Sequence, residues 1–184
     1  MWEHFWDWLG KLPQSSASFV GTLTGSSLGL IALLTGALVN ASLNRRRDDR
    51  LRRHDRTAVA TVLHAELTGM RRTLIENAEH LESNPPDPKQ GFVVPAPSAR
   101  LLDDATSKIG LLGTDAVRKV MDAYVLNEAY LTDLILAGGQ QHPGTPEDRS
   151  LIFMPGRLAP FVAEFNRTRA TAVDAALKAL SPFL

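Results

Sequence analysis

The sequence predicts an all-α membrane protein, in which a single N-terminal transmembrane helix continues into a cytoplasmic antiparallel bundle of three long helices and one short helix. Three observations predict this fold. Residues 12–44 carry no charged side chain, and apolar side chains in the remainder recur at steps of three and four residues. No window shows sustained strand alternation, because the segments at Phe92 and Leu151 are short and lie among Pro and Gly.

Length and composition narrow the possible classes. A chain of 184 residues suits one domain with an appendage. It has no Cys, which excludes disulfides, thiolate metal sites and a cysteine nucleophile. The 20 basic and 20 acidic residues cancel, and this balance would argue against an electrostatic partner if the charges were evenly distributed.

Residues 1–12 predict a short amphipathic segment at the membrane surface. All three Trp residues lie there, and Trp2, Phe5 and Trp6 share a helical face. Indole rings settle at the headgroup level of a bilayer. The predicted interfacial anchor therefore consists of Trp2, Phe5, Trp6 and Trp8.

Residues 15–44 predict the transmembrane helix. The stretch is long enough for a bilayer core of about 30 Å, which needs roughly 20 helical residues. A cleaved signal peptide is the alternative, but its basic residues precede a shorter apolar core. Here the basic residues follow the apolar stretch, so a retained anchor is favoured.

One side of this helix has small side chains. The glycines repeat at four-residue steps, and two backbones can approach closely along such a stripe. We expect self-association through an interface of Gly21, Gly25, Gly29, Gly36 and Asn40. In the alternative arrangement, several copies assemble so that polar side chains line a pore or perturb the bilayer: Ser18, Thr22, Ser26 and Asn40.

The segment that follows the span is strongly basic. Between Arg45 and Arg56 it has seven Arg against three Asp, and such an excess is retained on the cytoplasmic side. The N-terminus should then lie outside the inner membrane and the remainder of the chain in the cytoplasm. The same residues can bind anionic lipid headgroups: Arg45, Arg46, Arg47, Arg50, Arg52, Arg53 and Arg56. Nucleic acid is disfavoured because Asp residues are interleaved and no aromatic residue lies nearby.

Residues 45–83 predict the first bundle helix, since no Pro occurs between Pro13 and Pro85. Its core-facing stripe is Val59, Leu63, Leu67, Met70, Leu74, Ala78 and Leu81. Residues 84–97 are rich in Pro and predict a loop.

Residues 98–184 predict the remaining bundle helices. A short helix from about Ser98 should stop at Gly110 or Gly113, and Thr114 with Asp115 should cap one long helix that ends at Gly138. A last helix should begin near Arg157. Several apolar residues on these two long helices are expected inside, including Met121, Ile135 and Phe161.

Candidate catalytic and metal-binding patterns are weak. Residues 25–29 match the letters of a G-x-S-x-G nucleophile motif, but that motif requires a strand–turn–helix context. The His and Glu residues near His64, Glu66, Glu76, His80 and Glu82 lack a converging third or fourth ligand, and we expect them on a solvated helix face. The sequence predicts no enzyme activity, no metal and no cofactor.

The Arg-rich run that leads from a Gly-containing span into an Ala- and Leu-rich helix resembles that of many small bacterial single-pass membrane proteins. The resemblance covers only the N-terminal part and implies topology without an activity. We expect a self-associating scaffold, accessory or regulatory subunit with an unidentified cytoplasmic or membrane protein partner. The alternative is an oligomeric pore-forming or membrane-perturbing effector.

Overall fold

The computed structural model describes Asp7, residues 13–141 and residues 151–184. The interfacial anchor predicted at Trp2, Phe5, Trp6 and Trp8 lies outside these residues. The chain forms two compact units, Met1–Leu51 and Arg52–Leu184. The described part is mostly helical with a small sheet, so the all-α prediction is confirmed in its main feature and is wrong about strands.

The first helix, α1, spans Gln14–Ser83 and is 70 residues long. No Pro interrupts it, and several Thr hydroxyls along it donate to the carbonyl four residues earlier. Its described residues in Met1–Leu51 are exposed, apart from the half-buried Val20.

The second unit consists of four successive segments that alternate in direction and are called limbs here. The first limb is the part of α1 from Arg52 onward. α1 contacts the last helix through Arg71 with Asp174 and Glu82 with Arg167, so the two run antiparallel. The segment after α1 runs back along it, since the Pro95 carbonyl accepts a hydrogen bond from Asn77 and Lys108 pairs with Asp55. The predicted antiparallel arrangement is therefore present in the part of the chain described here, and its limbs comprise the following elements.

The returning limb contains strand β1 (Gly91–Pro95), helix α2 (Leu102–Ala105) and a 3-10 turn, Ile109–Leu112. The third limb contains α3 (Thr114–Glu128) and α4 (Tyr130–Leu136). Strands β2 (Gln140–Gln141) and β3 (Leu151–Pro155) follow. The fourth limb contains the 3-10 turn Gly156–Leu158, helix α5 (Ala159–Leu180) and the 3-10 turn Ser181–Phe183.

The core lies between these limbs. The seven residues predicted as the core-facing stripe of α1 are all buried, and this prediction is confirmed. Six of them, all but Ala78, belong to one core cluster with Val120 and Leu134 of the third limb and Val173 and Leu180 of α5. Among the described residues, every buried position falls within residues 59–180.

The prediction of no strands is wrong in the Pro-rich loop predicted at residues 84–97 and again near Leu151. β1, β3 and β2 form an antiparallel sheet in the order β1-β3-β2, with Val94 opposite Ile152. Val94, Ile152 and Met154 are buried on the face that joins the core. Each strand is too short to show a clear period by itself, and the pairing that defines it joins segments about 60 residues apart.

The prediction of one long helix after residue 113 is also wrong. The helix begins after Gly113, whose φ of 80° suits Gly, and no side chain caps it. Asp115 instead pairs with Arg118 and Lys119. Ala129 then divides α3 from α4. The expected core residues Met121, Ile135 and Phe161 are exposed because other apolar residues of their helices face the core.

Candidate functional site

The N-terminal part of α1 is apolar and unburied. An 18-residue window of this helix has a mean hydropathy of 1.7, and none of it is buried. Large side chains are exposed all along it, including Phe19, Leu28, Leu33 and Leu38. By length and composition this helix could cross a membrane.

The glycine positions of this segment are open. A Cβ added at Gly21, Gly25, Gly29 or Gly36 would meet no atom within 4 Å, and the Asn40 side chain is exposed. The Thr22 hydroxyl, which belongs to the alternative pore lining, donates to the Ser18 carbonyl at 3.0 Å. Such internal hydrogen bonds satisfy polar groups inside the helix.

The arginines that follow are exposed in both units. Arg45, Arg46, Arg47 and Arg50 belong to Met1–Leu51. In Arg52–Leu184, Arg52 and Arg53 are exposed, and the Arg56 guanidinium lies 5.7 Å from the centre of the Phe183 ring. Asp55 is held by Lys108 at 3.2 Å.

Glu66 does not lie on a solvated face, contrary to the sequence prediction. Its carboxylate accepts hydrogen bonds from the backbone N–H groups of Arg100 and Leu101 and from the Tyr124 hydroxyl. These contacts join α1 to the returning limb and to α3. Burial and this hydrogen bond to an anionic acceptor raise the pKa of Tyr124 above its ordinary value.

Glu82 also has a fixed partner. Both of its carboxylate oxygens accept from Arg167, at 2.7 Å from Nε and 2.5 Å from Nη2. The hydrogen bond from Arg167 holds the pKa of Glu82 below its usual value. Glu66 and Glu82 are therefore structural residues of the folded unit.

Arg169 forms the centre of a buried polar group. It is only 8% exposed, and its guanidinium lies 3.5 Å from the centre of the Phe165 ring. Nη2 donates to Asp133, and Nε donates to the Leu126 carbonyl at 3.2 Å. The Leu126 carbonyl lies just before the break between α3 and α4, so Arg169 satisfies a helix-end acceptor there.

A second buried chain of hydrogen bonds lies beside it. The Tyr130 hydroxyl donates to Asn166 Oδ1 at 3.0 Å, and Asn166 donates to the Val162 carbonyl at 2.8 Å. Asn77 also bonds Tyr130 and donates to the Pro95 carbonyl. Burial raises the pKa of Tyr130 to about 12.

Sequence reasoning missed Arg169 and Asn166 because it counted only apolar residues as core. Their positions carried a signal, since buried residues recur along α5 at steps of four, three, four, three and four: Val162, Asn166, Arg169, Val173, Ala176 and Leu180. Glu66 and Asn77 likewise fall on the edge of the buried stripe of α1.

A cavity of about 690 Å³ lies between the end of α1 and strand β1. Its α1 wall carries Glu76, Asn77, Glu79 and His80, and its other wall is residues 92–95. The described residues include no group of three or more His, Asp or Glu side chains placed to hold a metal ion. The G-x-S-x-G letters at residues 25–29 lie within α1 and not at a strand–turn–helix junction.

No protein-family model, curated protein or solved structure matches the chain.

Proposed function

We propose that this chain is a single-pass inner-membrane protein whose cytoplasmic unit acts as a non-enzymatic scaffold, accessory or regulatory subunit. One observation carries the proposal. The apolar part of α1 is wholly unburied, whereas Arg52–Leu184 has a core made from its own residues. A lipid bilayer is the environment that best accounts for this contrast.

Energetics support a bilayer as the partner of this segment. Burying one Leu or Phe side chain is worth about 1.5–3 kcal/mol. Eleven large apolar side chains between Phe19 and Leu51 are more than half exposed, so water would impose a large unfavourable free energy. A bilayer removes this cost. The unbroken α1 helix also meets the requirement that, in lipid, each backbone amide forms its hydrogen bond within the segment.

The distribution of charge supports the orientation. The seven arginines between Arg45 and Arg56 follow the apolar stretch directly, which favours their retention in the cytoplasm. All seven are exposed to solvent, as side chains that bind anionic headgroups must be. In this topology Asp7 is outside and Arg52–Leu184 is cytoplasmic.

Single-cysteine labelling tests the proposal directly, because the chain has no Cys. Asp7→Cys and Ala175→Cys replace exposed residues at opposite ends. In intact spheroplasts, a membrane-impermeant maleimide should label Asp7→Cys and should label Ala175→Cys only after lysis. Carbonate washing should leave both variants in the membrane pellet.

Two results would contradict the proposal. Labelling of Ala175→Cys before lysis would reverse the orientation, and release of the chain by carbonate would remove the span. A shortened product beginning after residue 44 would instead indicate a cleaved signal sequence. Dye leakage from vesicles that contain the purified chain would favour the pore-forming alternative over the scaffold.

A further inference from the structure

Within the described part of the chain, the outer edge of strand β1 has hydrogen-bonding groups without a partner strand. β1 is at one end of the order β1-β3-β2, so only one of its edges is paired. The Gly156 N–H donates to the Gln90 carbonyl at 2.7 Å. Along an antiparallel strand, residues that exchange hydrogen bonds with the neighbouring strand alternate with residues that do not. The bonds from β1 to β3 therefore fall at Gln90, Phe92 and Val94.

The intervening residues therefore point their N–H and C=O groups away from β3. Two prolines agree with this register, since Pro155 lies opposite Gly91 and Pro95 lies opposite Leu151, and neither can donate. The Pro95 carbonyl accepts from Asn77 of α1. Gly91 and Val93 are left with two donors and two acceptors on the outer edge.

This outer edge faces a cavity and not a neighbouring strand. Because Asn77 reaches Pro95 from α1, the helix lies on the unpaired side of β1. The cavity of about 690 Å³ between them is lined by both elements and falls within the range of about 300–1,000 Å³ for ligand pockets. Exposed edge strands accept an added strand from a peptide in many recognition domains.

The charged and apolar side chains around the cavity indicate which kind of peptide would bind there. The helical wall of the cavity carries Glu76 and Glu79, and Glu76 pairs loosely with the exposed Arg72, at 4.0 Å. Val93 and Phe153 are 46% and 42% exposed on the outward face of the sheet. A strand placed here would set alternate side chains beside the two carboxylates or over this apolar face.

We infer that the outer edge of β1 is a docking site for an extended, basic peptide segment of a partner protein, which adds as a fourth strand with its Lys or Arg side chains beside Glu76 and Glu79. This inference goes beyond the scaffold proposal, and it does not depend on insertion of α1 into a membrane.

Peptide binding to the full chain in non-ionic detergent tests the inference. The probes are labelled peptides in which Lys or Arg alternates with Val, Thr or Phe. Matched probes carry Glu in place of the basic residues, or N-methyl groups on alternate amides. Fluorescence anisotropy should show binding of the basic peptides below about 1 mM, with at least about tenfold weaker binding of the acidic and N-methylated forms. Raised salt should also weaken binding.

Protein variants separate the backbone contribution from the charge contribution. Val93→Pro removes an outward donor while leaving the bonds to β3, and Val93→Thr is its control with the N–H retained. Glu76→Gln with Glu79→Gln removes both carboxylates, and Asp122→Asn with Glu128→Gln makes the same charge change on the exposed side of α3. Val93→Pro and the Glu76/Glu79 variant should each lose at least about tenfold in affinity, and the two controls should not.

Amide exchange locates the bound peptide. Gly91 and Val93 should exchange faster than Phe92 and Val94 in the free protein, and peptide should slow Gly91 and Val93 selectively. Absence of binding by every basic peptide would overturn the inference, as would equal binding to Glu76→Gln with Glu79→Gln. If Val93→Pro is unfolded, the N-methylated peptide decides the backbone role. Concentration-dependent protection of Gly91 and Val93 without peptide would assign the edge to a second copy, and would also overturn it.

Discussion

At the scale of single residues, the interior of the folded unit includes polar side chains among its apolar ones. Arg169 and Asn166 occupy positions in the buried stripe of α5 where an apolar residue would be expected. Each is satisfied by specific partners: Asp133 and the Leu126 carbonyl for Arg169, and Tyr130 for Asn166. Buried polar groups persist when they are hydrogen-bonded, and they become costly when a partner is removed.

Arg169→Met should destabilise the folded unit by about 2 kcal/mol, because it removes the hydrogen-bond donor to the Leu126 carbonyl and to Asp133, a carboxylate that is 42% exposed and can be hydrated. The matched control is Arg167→Met two residues earlier, which breaks the half-exposed pair with Glu82 and should cost much less. Urea unfolding of the full chain in detergent measures both. Equal losses for the two variants would show that the buried site has no special role.

The two tyrosines give a prediction about pH. They are the only Tyr residues in the chain, and burial raises the pKa of both, that of Tyr130 to about 12. The unfolded chain therefore loses these phenol protons first, near pH 10. The contribution of the two buried phenols to the free energy of unfolding is fully present below pH 10 and is lost as the pH rises towards 12. Phenolate absorbance should appear near pH 10 only in urea. Its appearance near pH 10 in the folded chain would contradict the burial.

At the scale of elements, α1 has two different environments along one helix. Residues 59–81 present a buried stripe, whereas the described residues from Gly21 to Leu51 are all exposed. The small-residue face of the exposed segment is open at all four glycines. Changes there should therefore affect association between copies and leave the fold of the chain intact.

Gly25→Leu with Gly29→Leu should reduce the size of the detergent-extracted particle, because the added side chains keep two helices apart. The control is Ser27→Leu with Ala41→Leu, which also introduces two Leu side chains but on the opposite side of the helix. Light scattering coupled to size exclusion measures the mass. A monomeric wild type, or equal masses for all three proteins, would exclude the glycine interface.

At the scale of the whole molecule, all buried residues of the described structure lie in residues 59–180. The buried core of the described residues is therefore formed within Arg52–Leu184. A chain consisting of residues 52–184 should be recovered in the soluble fraction and should unfold at nearly the same temperature as the full chain. A large loss of thermal stability would show that the N-terminal unit contributes to the fold.

Sequence periodicity predicted the helices well and the sheet poorly. All seven residues of the predicted α1 stripe are buried, because apolar positions at helical spacing define a buried face, and the only buried residue of the described part of α1 that was not predicted is Ala60. β1 and β3 were missed since each has only five residues and contains Pro. The break at Ala129 was missed because Arg169, which satisfies the carbonyl near it, is 40 residues away.

The sequence by itself determined the apolar stretch, the arginines that follow it and the helical stripes, because these features depend on composition and on local spacing. Only the tertiary structure decided that Glu66, Asn77 and Arg169 are partners of distant groups. It alone also decided that two Pro-rich segments pair and leave an open strand edge beside an acidic helix face. Those features depend on contacts between residues far apart in the chain, and the local spacing of residues does not encode such contacts.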